Sequence, residues 1–212
     1  MKVALLGASG FIGSGLLAEL RSRGHQVTAL VANPGKLAPG DGLTVLAADV
    51  LDSGRLAAQL AGHDAVISAF SGHAQQDVRG YYMRGVDAII AAVAQAGVPR
   101  LLMVGGAGSL NVAPGVQLVD TPDFPEQWKG SALGARDALE RLRGEPALDW
   151  TMLSPAALIE PGERTGRFRV GGDDLLVDAE GNSRISLQDY AVAMIDELEH
   201  PAHARQRFCV AY

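Results

Sequence analysis

The sequence contains a single cysteine, Cys209, and this scarcity excludes an internal disulfide bond. A lone thiol near the end of an apolar segment is most simply a buried core residue. None of the 212 residues belongs to an apolar stretch of about 18 residues, the length that spans a membrane. The amino terminus also lacks the basic, apolar and small segments of a secretion signal. These absences predict a cytoplasmic protein without a membrane partner.

Composition disfavours two further kinds of partner. The chain carries 24 acidic and 18 basic residues, a net charge of −6, and no run of five Lys or Arg residues. A nucleic-acid partner is not expected, because binding a phosphate backbone requires clustered positive charge. The histidines, at positions 25, 63, 73, 200 and 203, show no metal-ligand spacing with Cys209 or with one another. We therefore predict no metal site.

The most informative segment is a glycine-rich turn near the amino terminus. A short apolar run, Val3–Leu6, is followed by glycines at 7, 10 and 13 and by an amphipathic stretch over residues 11–23. A strand that turns into a helix in this way offers free N–H groups and a helix dipole to a phosphate. The alternative is a turn that needs its glycines for steric reasons alone. The predicted pyrophosphate site comprises Gly7, Ser9, Gly10, Phe11, Ile12 and Gly13.

Short apolar strands alternate with helical patterns up to about residue 154. Further strands are predicted at 27–31, 43–47, 65–68, 101–104 and 150–153, and further helices at 53–61, 79–97 and 131–143. The strands are apolar throughout rather than alternating, which is typical of a parallel sheet covered on both faces. The pattern predicts an α/β fold with a doubly wound, mostly parallel sheet and right-handed crossovers.

The regular alternation of apolar strands and helical patterns ends after Leu153. Strand-like pieces are predicted at 167–170 and 175–177, a capping box at Ser186–Asp189, a helix reaching Glu199 and a last strand at 207–210. The long segment 106–127 shows no clear element, and such loops often bind ligands or close over them. We predict one domain, 1–212, with a core of 1–154 and a small C-terminal substrate lobe contributed mainly by 106–130 and 154–185.

The end of the second strand bears on the kind of dinucleotide. Ligands of doubly wound sheets bind at the carboxyl ends of the strands, where an NAD-preferring site places an acidic side chain on the ribose. This chain has Asn33 and Lys36 in that region and no carboxylate. The residues favour NADP slightly over NAD, with Asn33 on the ribose and Lys36 near a 2′-phosphate. Alternatively, Asn33-Pro34-Gly35 is only a turn and Lys36 a solvated charge.

The ends of the other strands complete the predicted site. Asp49 and Val50 would flank an adenine edge, although Asp49 could instead cap the following helix. The small residues after the fourth strand would let the backbone lie against a ribose, and those after the fifth and sixth would face the nicotinamide. The cofactor-binding residues predicted at these strand ends are Asp49, Val50, Ser68, Ala69, Phe70, Gly105, Gly106 and Ser154.

Two sets of motifs carry a family resemblance. The first set, Gly7-x-x-Gly10-x-x-Gly13, Asn33-Pro34-x-Lys36, Ala48–Asp52 and His63–Ser68, resembles the atypical short-chain dehydrogenase/reductases. The second set, Val104–Leu110, Asp120–Pro125, Leu153–Ala156, Glu160–Gly166 and Ser183–Ala191, is similar to the NADH–flavin reductase group of that superfamily. The resemblance implies a Rossmann-type fold, NAD(P)H binding at the glycine-rich turn, and a small-molecule electron acceptor, either a flavin (FMN or FAD, as a substrate) or a quinone.

The chain departs from the superfamily at catalytic and cofactor positions. Ala32 stands where many members carry an Arg that grips a 2′-phosphate. Gly105-Gly106 stands in the place of the catalytic Ser, and Ala132 and Arg136 in the places of the Tyr and Lys. A ketone reductase needs a proton donor there, whereas a flavin stabilises the added charge itself. No catalytic residue is therefore assigned.

Three functions remain open. The first is an NAD(P)H-dependent reductase acting on a flavin or quinone-like acceptor, and the second is a non-catalytic NAD(P)-sensing regulator. The third, which the missing tyrosine disfavours, is a nucleotide-sugar epimerase or dehydratase. Near the predicted cleft, His73 is a candidate proton donor, and Trp128 could border an acceptor pocket or simply anchor the start of a helix.

Overall fold

The computed structural model describes residues 1–73 and 75–212, and every structural statement below concerns that part of the chain. Its strands are β1 (Lys2–Leu6), β2 (Gln26–Val31), β3 (Leu43–Ala47), β4 (Ala65–Ser68), β5 (Arg100–Val104), β6 (Asn111–Ala113), β7 (Val116–Gln117), β8 (Asp149–Ser154), β9 (Leu158–Glu160), β10 (Arg169–Gly171), β11 (Arg184–Ser186) and β12 (Gln206–Ala211). Its α-helices are α1 (Phe11–Ser22), α2 (Ser53–Leu60), α3 (Val78–Ala96), α4 (Glu126–Arg143) and α5 (Leu187–Glu199).

Within these described residues, eight strands form one sheet in the order β10-β12-β8-β5-β4-β1-β2-β3. All neighbours are parallel except β10, which runs antiparallel to β12 at one edge. The central strands are buried on both faces because apolar residues fill every position: Val3–Leu6 and Ala65–Ile67 have no accessible surface. The predicted α/β class with a mostly parallel sheet is confirmed.

The helices lie in two layers, each over its own apolar core. Side chains of α1 and α5 pack on one face of the sheet, around Leu5 and Leu153. Those of α2, α3 and α4 pack on the other, around Leu6 and Leu101. Among the described residues, no helix combines the length and apolar character needed to cross a membrane.

One crossover differs in hand from those that precede it. The helices α3 and α4 connect β4 to β5 and β5 to β8 on the same face, whereas α5 connects β8 to β12 on the opposite face. Connections that run in the same direction on opposite faces have opposite hands, so the crossover from β8 to β12 differs in hand from the two before it. This unit lies beyond residue 154, outside the segment for which right-handed crossovers were predicted. The connection through residues 155–186 is long enough to carry the chain to the other face, which a short crossover could not do.

The segment 106–127 is more ordered than the sequence indicated. It contains a hairpin of β6 and β7, and α4 begins at Glu126, five residues before the predicted start at 131. The missed elements are two or three residues long, too short to show a period. Asn111, at the start of the hairpin, pairs with residues 173–175, and Asp173 and Asp174 in turn contact the side chains of Arg207 and Cys209 on β12.

The last third of the chain also departs from the predicted elements. Residues 175–177 form no strand, and β10 is shifted to Arg169–Gly171. The strands β9 and β11 form a separate parallel pair. Ser186 caps α5 as predicted, by accepting a hydrogen bond from the Asp189 amide at 3.0 Å. The buried Asp189 carboxylate is bound instead by Thr165, the Gly166 amide and the Tyr212 hydroxyl.

Candidate dinucleotide-binding site

The turn between β1 and α1 is held by tight backbone packing. Gly7 has a φ of +76°, and its amide donates to the carbonyl oxygen of Leu30 at 3.0 Å. A Cβ at Gly7 would stand 2.5 Å from the carbonyl oxygen of Ala69. A Cβ at Gly13 would overlap the carbonyl oxygen of Gly7. Both glycines are therefore required by the fold, whether or not a ligand is present.

Gly10 is different because the protein itself does not fill the space beside it. Its φ is −80°, and a Cβ there would approach only the carbonyl oxygen of Gly7, at 3.3 Å. The residue is exposed, as are Ser9 and Phe11, while Ile12 is half-buried. An open cradle beside a glycine with an ordinary backbone conformation fits the close approach of a pyrophosphate to the chain.

The amino end of α1 is also left without a side-chain cap. In the described chain, the side chains of Asp52, Asp77 and Ser186 cap α2, α3 and α5, whereas Gly10 at the start of α1 and Pro125 at the start of α4 provide none. The first turn of α1 carries no acidic residue either. The amide groups of this turn and the positive end of the helix dipole are thus open to an anion, at the carboxyl edge of the sheet.

The turn after β2 is compatible with both interpretations of its sequence, a structural turn and a contact with the ribose. The Asn33 side-chain oxygen accepts a hydrogen bond from the Gly35 amide at 3.0 Å and so caps a single turn of 3-10 helix, Pro34–Lys36. This leaves the side-chain amide nitrogen of Asn33 as its remaining polar group. Lys36 is exposed and forms no ion pair with another described residue. Asn33 is therefore a turn residue that still has donors to offer a ribose or phosphate.

The two residues predicted to flank an adenine after β3, Asp49 and Val50, differ in exposure and in their contacts. Asp49 is exposed, and its carboxylate accepts a hydrogen bond from the Leu51 amide at 2.9 Å. The cap of α2 is Asp52, which accepts from the Arg55 amide, so the alternative that Asp49 caps this helix was wrong. Val50 is half-buried against the core beneath α2 and α3. Asp49 remains at the sheet edge, where an adenine could lie.

The loop after β4 presents its backbone, because its side chains point elsewhere. Ser68 is buried, and its hydroxyl accepts from the Phe70 amide at 3.4 Å. The carbonyl of Ala69 packs against Gly7. The Phe70 ring stacks on Tyr82, with centroids 5.9 Å apart and planes within 8°. Burial raises the pKa of Tyr82 to about 12, so this hydroxyl stays protonated at neutral pH.

The glycines after β5 let two other segments approach. A Cβ at Gly105 would stand 2.8 Å from the Met152 side chain, and one at Gly106 would stand 3.1 Å from the Ala135 methyl group. Both glycines are half-buried, so their backbone still reaches solvent at the strand end. Ser154 is another matter: it has no accessible surface, and its hydroxyl accepts from Arg207 at 3.4 Å. The hydroxyl is thus turned towards Arg207, and a contact of Ser154 with the nicotinamide stays a prediction.

The burial of Ser154 comes from Arg207, which the sequence did not single out. The Arg207 side chain is 2 % exposed and donates to the hydroxyls of Ser109 and Ser154 and to the carboxylate of Asp173. It therefore ties the segment after β5 to the end of β8 and to residues 171–174. An arginine in a short C-terminal strand gives no signal of this role, because its partners are far away along the chain.

The positions of the usual catalytic residues offer no acid to a substrate. Ala132 packs on Gly108, where a Cβ would stand 2.6 Å from the alanine methyl group. Arg136 is held by Asp120 at 3.1 Å and by Gln117 at 3.4 Å. The hydroxyl of Ser109, in the segment after β5, is buried and bound to Arg207. None of these groups can donate a proton to a developing alkoxide.

Two side chains from different segments meet at the rim of this edge. His73, from the loop after β4, contacts Trp128, from the first turn of α4, with ring centroids 6.0 Å apart and planes at 89°. Trp128 is 51 % exposed, so the core does not bury it. In the part of the chain that is described, no group of His, Cys, Asp and Glu is arranged to hold a metal ion.

A parallel sheet in this strand order, with a glycine-rich turn leading into an uncapped helix at its carboxyl edge, defines a Rossmann-like dinucleotide-binding protein. Comparison with known families agrees. The profile of the NAD(P)H-binding family matches residues 7–201, and the chain belongs to that family.

Solved structures of related proteins align over the whole chain. A proposed exported protein from Burkholderia pseudomallei is 49 % identical, with a TM-score of 0.91 and complete coverage of both chains. A proposed epimerase from Bacteroides thetaiotaomicron is 46 % identical, with a TM-score of 0.93, covering 100 % of this chain and 96 % of that one. A protein from Streptococcus pneumoniae, for which an NADH-flavin reductase activity has been proposed, is 34 % identical, with a TM-score of 0.88, covering 100 % and 99 %.

Proposed function

We propose that this protein is an NAD(P)H-dependent reductase that passes a hydride to a flavin or a quinone-like aromatic acceptor. The observation that carries the proposal is the absence of an acid at the catalytic positions: Gly105, Gly106 and Ala132 have no ionisable group, and Arg136 is bound by Asp120. A planar acceptor whose own ring system stabilises the added charge needs only to be held against the dinucleotide. The neighbour proposed as an NADH-flavin reductase supports this choice.

The residues of this chain would bind and orient the two substrates. The open amides at the start of α1, with Gly10 and Ser9, would bind the pyrophosphate. Asn33 and Lys36 would contact the adenosine ribose, and the backbone at Phe70 and Gly105 would line the nicotinamide. The bound nicotinamide supplies the hydride, and the accompanying proton comes from water.

Lys36 favours NADP as the dinucleotide. Among the described residues this lysine has no acidic partner, and no carboxylate follows β2 to repel a 2′-phosphate. Because Ala32 provides no guanidinium, the expected preference for NADPH over NADH is small.

The test is calorimetric titration with NADPH and NADH, followed by measurement of NAD(P)H oxidation after flavin mononucleotide or a quinone is added. Binding together with acceptor-dependent oxidation is the expected result. Binding without NAD(P)H oxidation in the presence of any flavin or quinone would contradict the reductase. It would favour the second candidate, a sensor of NAD(P), for which the same lack of a catalytic acid is the supporting observation. An epimerase is disfavoured because Ala132 occupies the place of the required tyrosine.

A further inference from the structure

Trp128 is exposed to an extent that its role in the fold does not explain. It is the third residue of α4, and half of its surface is accessible, whereas the other tryptophan, Trp150, is only 2 % exposed. A large aromatic side chain that stays in water does not contribute its burial to stability. Its described aromatic neighbour is His73, whose ring plane stands at 89° to that of the indole, so the two rings are not stacked face to face.

The packing of α4 fixes where this exposed ring stands. Ala135 lies on Gly106, and Ala132, one turn earlier, lies on Gly108, so α4 follows the segment after β5 outward from the sheet. Trp128 is one further turn towards the start of the helix, and it therefore projects beyond the carboxyl edge. Residues three and four apart share one face of a helix, which aligns Trp128 with Ala132 and Ala135.

His73 contacts Trp128 from a different segment. It belongs to the loop after β4, and β4 is the parallel neighbour of β5. The contact between His73 and Trp128 therefore bridges the segments that follow two adjacent strands. The loop after β4 and Gly105 and Gly106 follow the same two strands, and the proposed function places the nicotinamide and its acceptor there.

We propose that Trp128 and His73 form the outer wall of the acceptor subsite, and that Trp128 stacks on the planar ring of the acceptor. The proposal rests on the proposed function for the identity of the ligand as an electron acceptor. The chemical class follows from the wall itself: an indole face binds flat aromatic rings of many kinds through stacking, without requiring particular hydrogen bonds. His73 limits the opening at its edge and orients the indole.

The experiment measures acceptor binding apart from turnover. Protein saturated with NADP⁺ is titrated into lumiflavin, which has the flavin ring but no phosphate, and the quenching of flavin fluorescence is recorded. Trp128→Ala is expected to weaken binding about tenfold or more, Trp128→Phe to restore most of it, and His73→Ala to weaken it less. The matched control is Val170→Ala, because Val170 is 53 % exposed on the distant edge strand β10. Affinity for NADP⁺ should stay within about twofold in all four variants.

The outcomes separate this proposal from the reductase itself. Unchanged lumiflavin affinity in Trp128→Ala would overturn the stacking wall, even if the wild type oxidises NADPH with flavin. Loss of lumiflavin binding in Trp128→Ala, together with restoration in Trp128→Phe, would support the wall even if the wild type showed no turnover. No binding of lumiflavin or menadione to the wild type would overturn it. In active protein, the KM for the acceptor should rise in Trp128→Ala while the KM for NADPH does not.

Discussion

The carbonyl oxygen of Gly7 lies against the Cα atom of Gly13, so closely that a Cβ at residue 13 would overlap it. This contact joins the glycine turn to the first turn of α1 and sets the angle at which the helix leaves the sheet. The same oxygen accepts the amide of Gly10 at 3.0 Å, yet a Cβ at Gly10 would remain 3.3 Å away from it. The turn thus contains glycines that the fold requires and one that faces open space.

The first prediction concerns that open glycine. Gly10→Val should abolish NADPH binding, because a branched side chain would fill the space expected for the pyrophosphate. The free energy of unfolding should fall by only about 1 kcal/mol, the cost of placing Val at a helix N-cap. Calorimetric titration measures the first effect and urea unfolding the second. Retained NADPH affinity would show that the pyrophosphate does not lie at Gly10.

Gly13→Ala is the matched control for this prediction. It adds a smaller side chain in the same turn, but the new methyl group would collide with the backbone of Gly7. We expect it to lower the free energy of unfolding by about 2 kcal/mol, a typical cost of overpacking. A variant that is as stable as the wild type would contradict the close contact between the two glycines.

The parallel sheet was predictable from sequence because its main strands follow from strong local patterns. Runs such as Val3–Leu6 and Leu101–Val104 are apolar at every position, and the glycine-rich turn after β1 specifies a βα unit. The hand of the crossover to β12 was not predictable in this way. It depends on where the 155–186 connection leads, and α5 shows the same amphipathic pattern on either face of the sheet.

The candidate site was predictable only where the backbone forms it. The residues of the glycine turn follow from spacing, since turn geometry is local. The hydrogen bond between Ser154 and Arg207 was not predictable, because the two residues are 53 positions apart in the sequence. The contact between His73 and Trp128 was not predictable either, because His73 lies in the loop after β4, Trp128 lies in the first turn of α4, and no sequence pattern links the two.

The second prediction addresses dinucleotide preference. Lys36→Ala should weaken NADPH binding about two- to fivefold, the worth of one exposed charge pair, and leave NADH binding unchanged. The difference should shrink at high salt, because exposed charges are screened. Lys2→Ala, at the opposite edge of the sheet, is the control and should alter neither affinity. Equal weakening of NADPH and NADH by Lys36→Ala would remove Lys36 from the 2′-phosphate.

Ala32→Arg extends the same argument in the opposite direction. A guanidinium at this exposed position, directly after β2, could bind a 2′-phosphate through two hydrogen bonds. We therefore expect a gain in NADPH affinity without a gain for NADH, measured by the same titrations. A gain for both dinucleotides would point to a general electrostatic effect instead.

The third prediction tests Arg207 as the tie between distant segments. Arg207→Met should lower the free energy of unfolding by about 2 kcal/mol, because buried hydroxyls of Ser109 and Ser154 lose a charged donor. Arg143→Met removes the other arginine on Asp173, but that pair is nearly half exposed and should cost less than about 1 kcal/mol. Urea unfolding compares the two variants, and equal losses would contradict the role of Arg207.

Hydrogen exchange tests whether Arg207 stabilises the segment after β5 locally. In Arg207→Met, the amides of Leu110 and Asn111 should exchange faster, since the segment after β5 is no longer held to β12. The amides of β1 should keep their protection. Uniform acceleration across the sheet would instead indicate a global loss of stability.

The last prediction follows from a carboxylate that joins α1 to the loop after β9. The hydrogen bond from Arg164 holds the pKa of Glu19 below its ordinary value of 4.5, with Arg23 contributing against the opposing effect of burial. A carboxyl whose pKa is lower in the folded state stabilises the fold above its unfolded pKa, and this contribution is lost as the pH falls through the folded value. Glu19→Gln should therefore destabilise the protein by about 1 to 3 kcal/mol at neutral pH.

The difference between wild type and Glu19→Gln should shrink as the pH falls below 4.5, because the wild-type carboxyl then takes up a proton as well. Urea unfolding at neutral pH and at about pH 3 measures this change. Glu126→Gln is the control, since Glu126 is exposed and lies 3.5 Å from Lys129 on the surface, where an ion pair contributes little at either pH. A destabilisation that is the same at both pH values would mean that Glu19 acts through packing rather than through its charge.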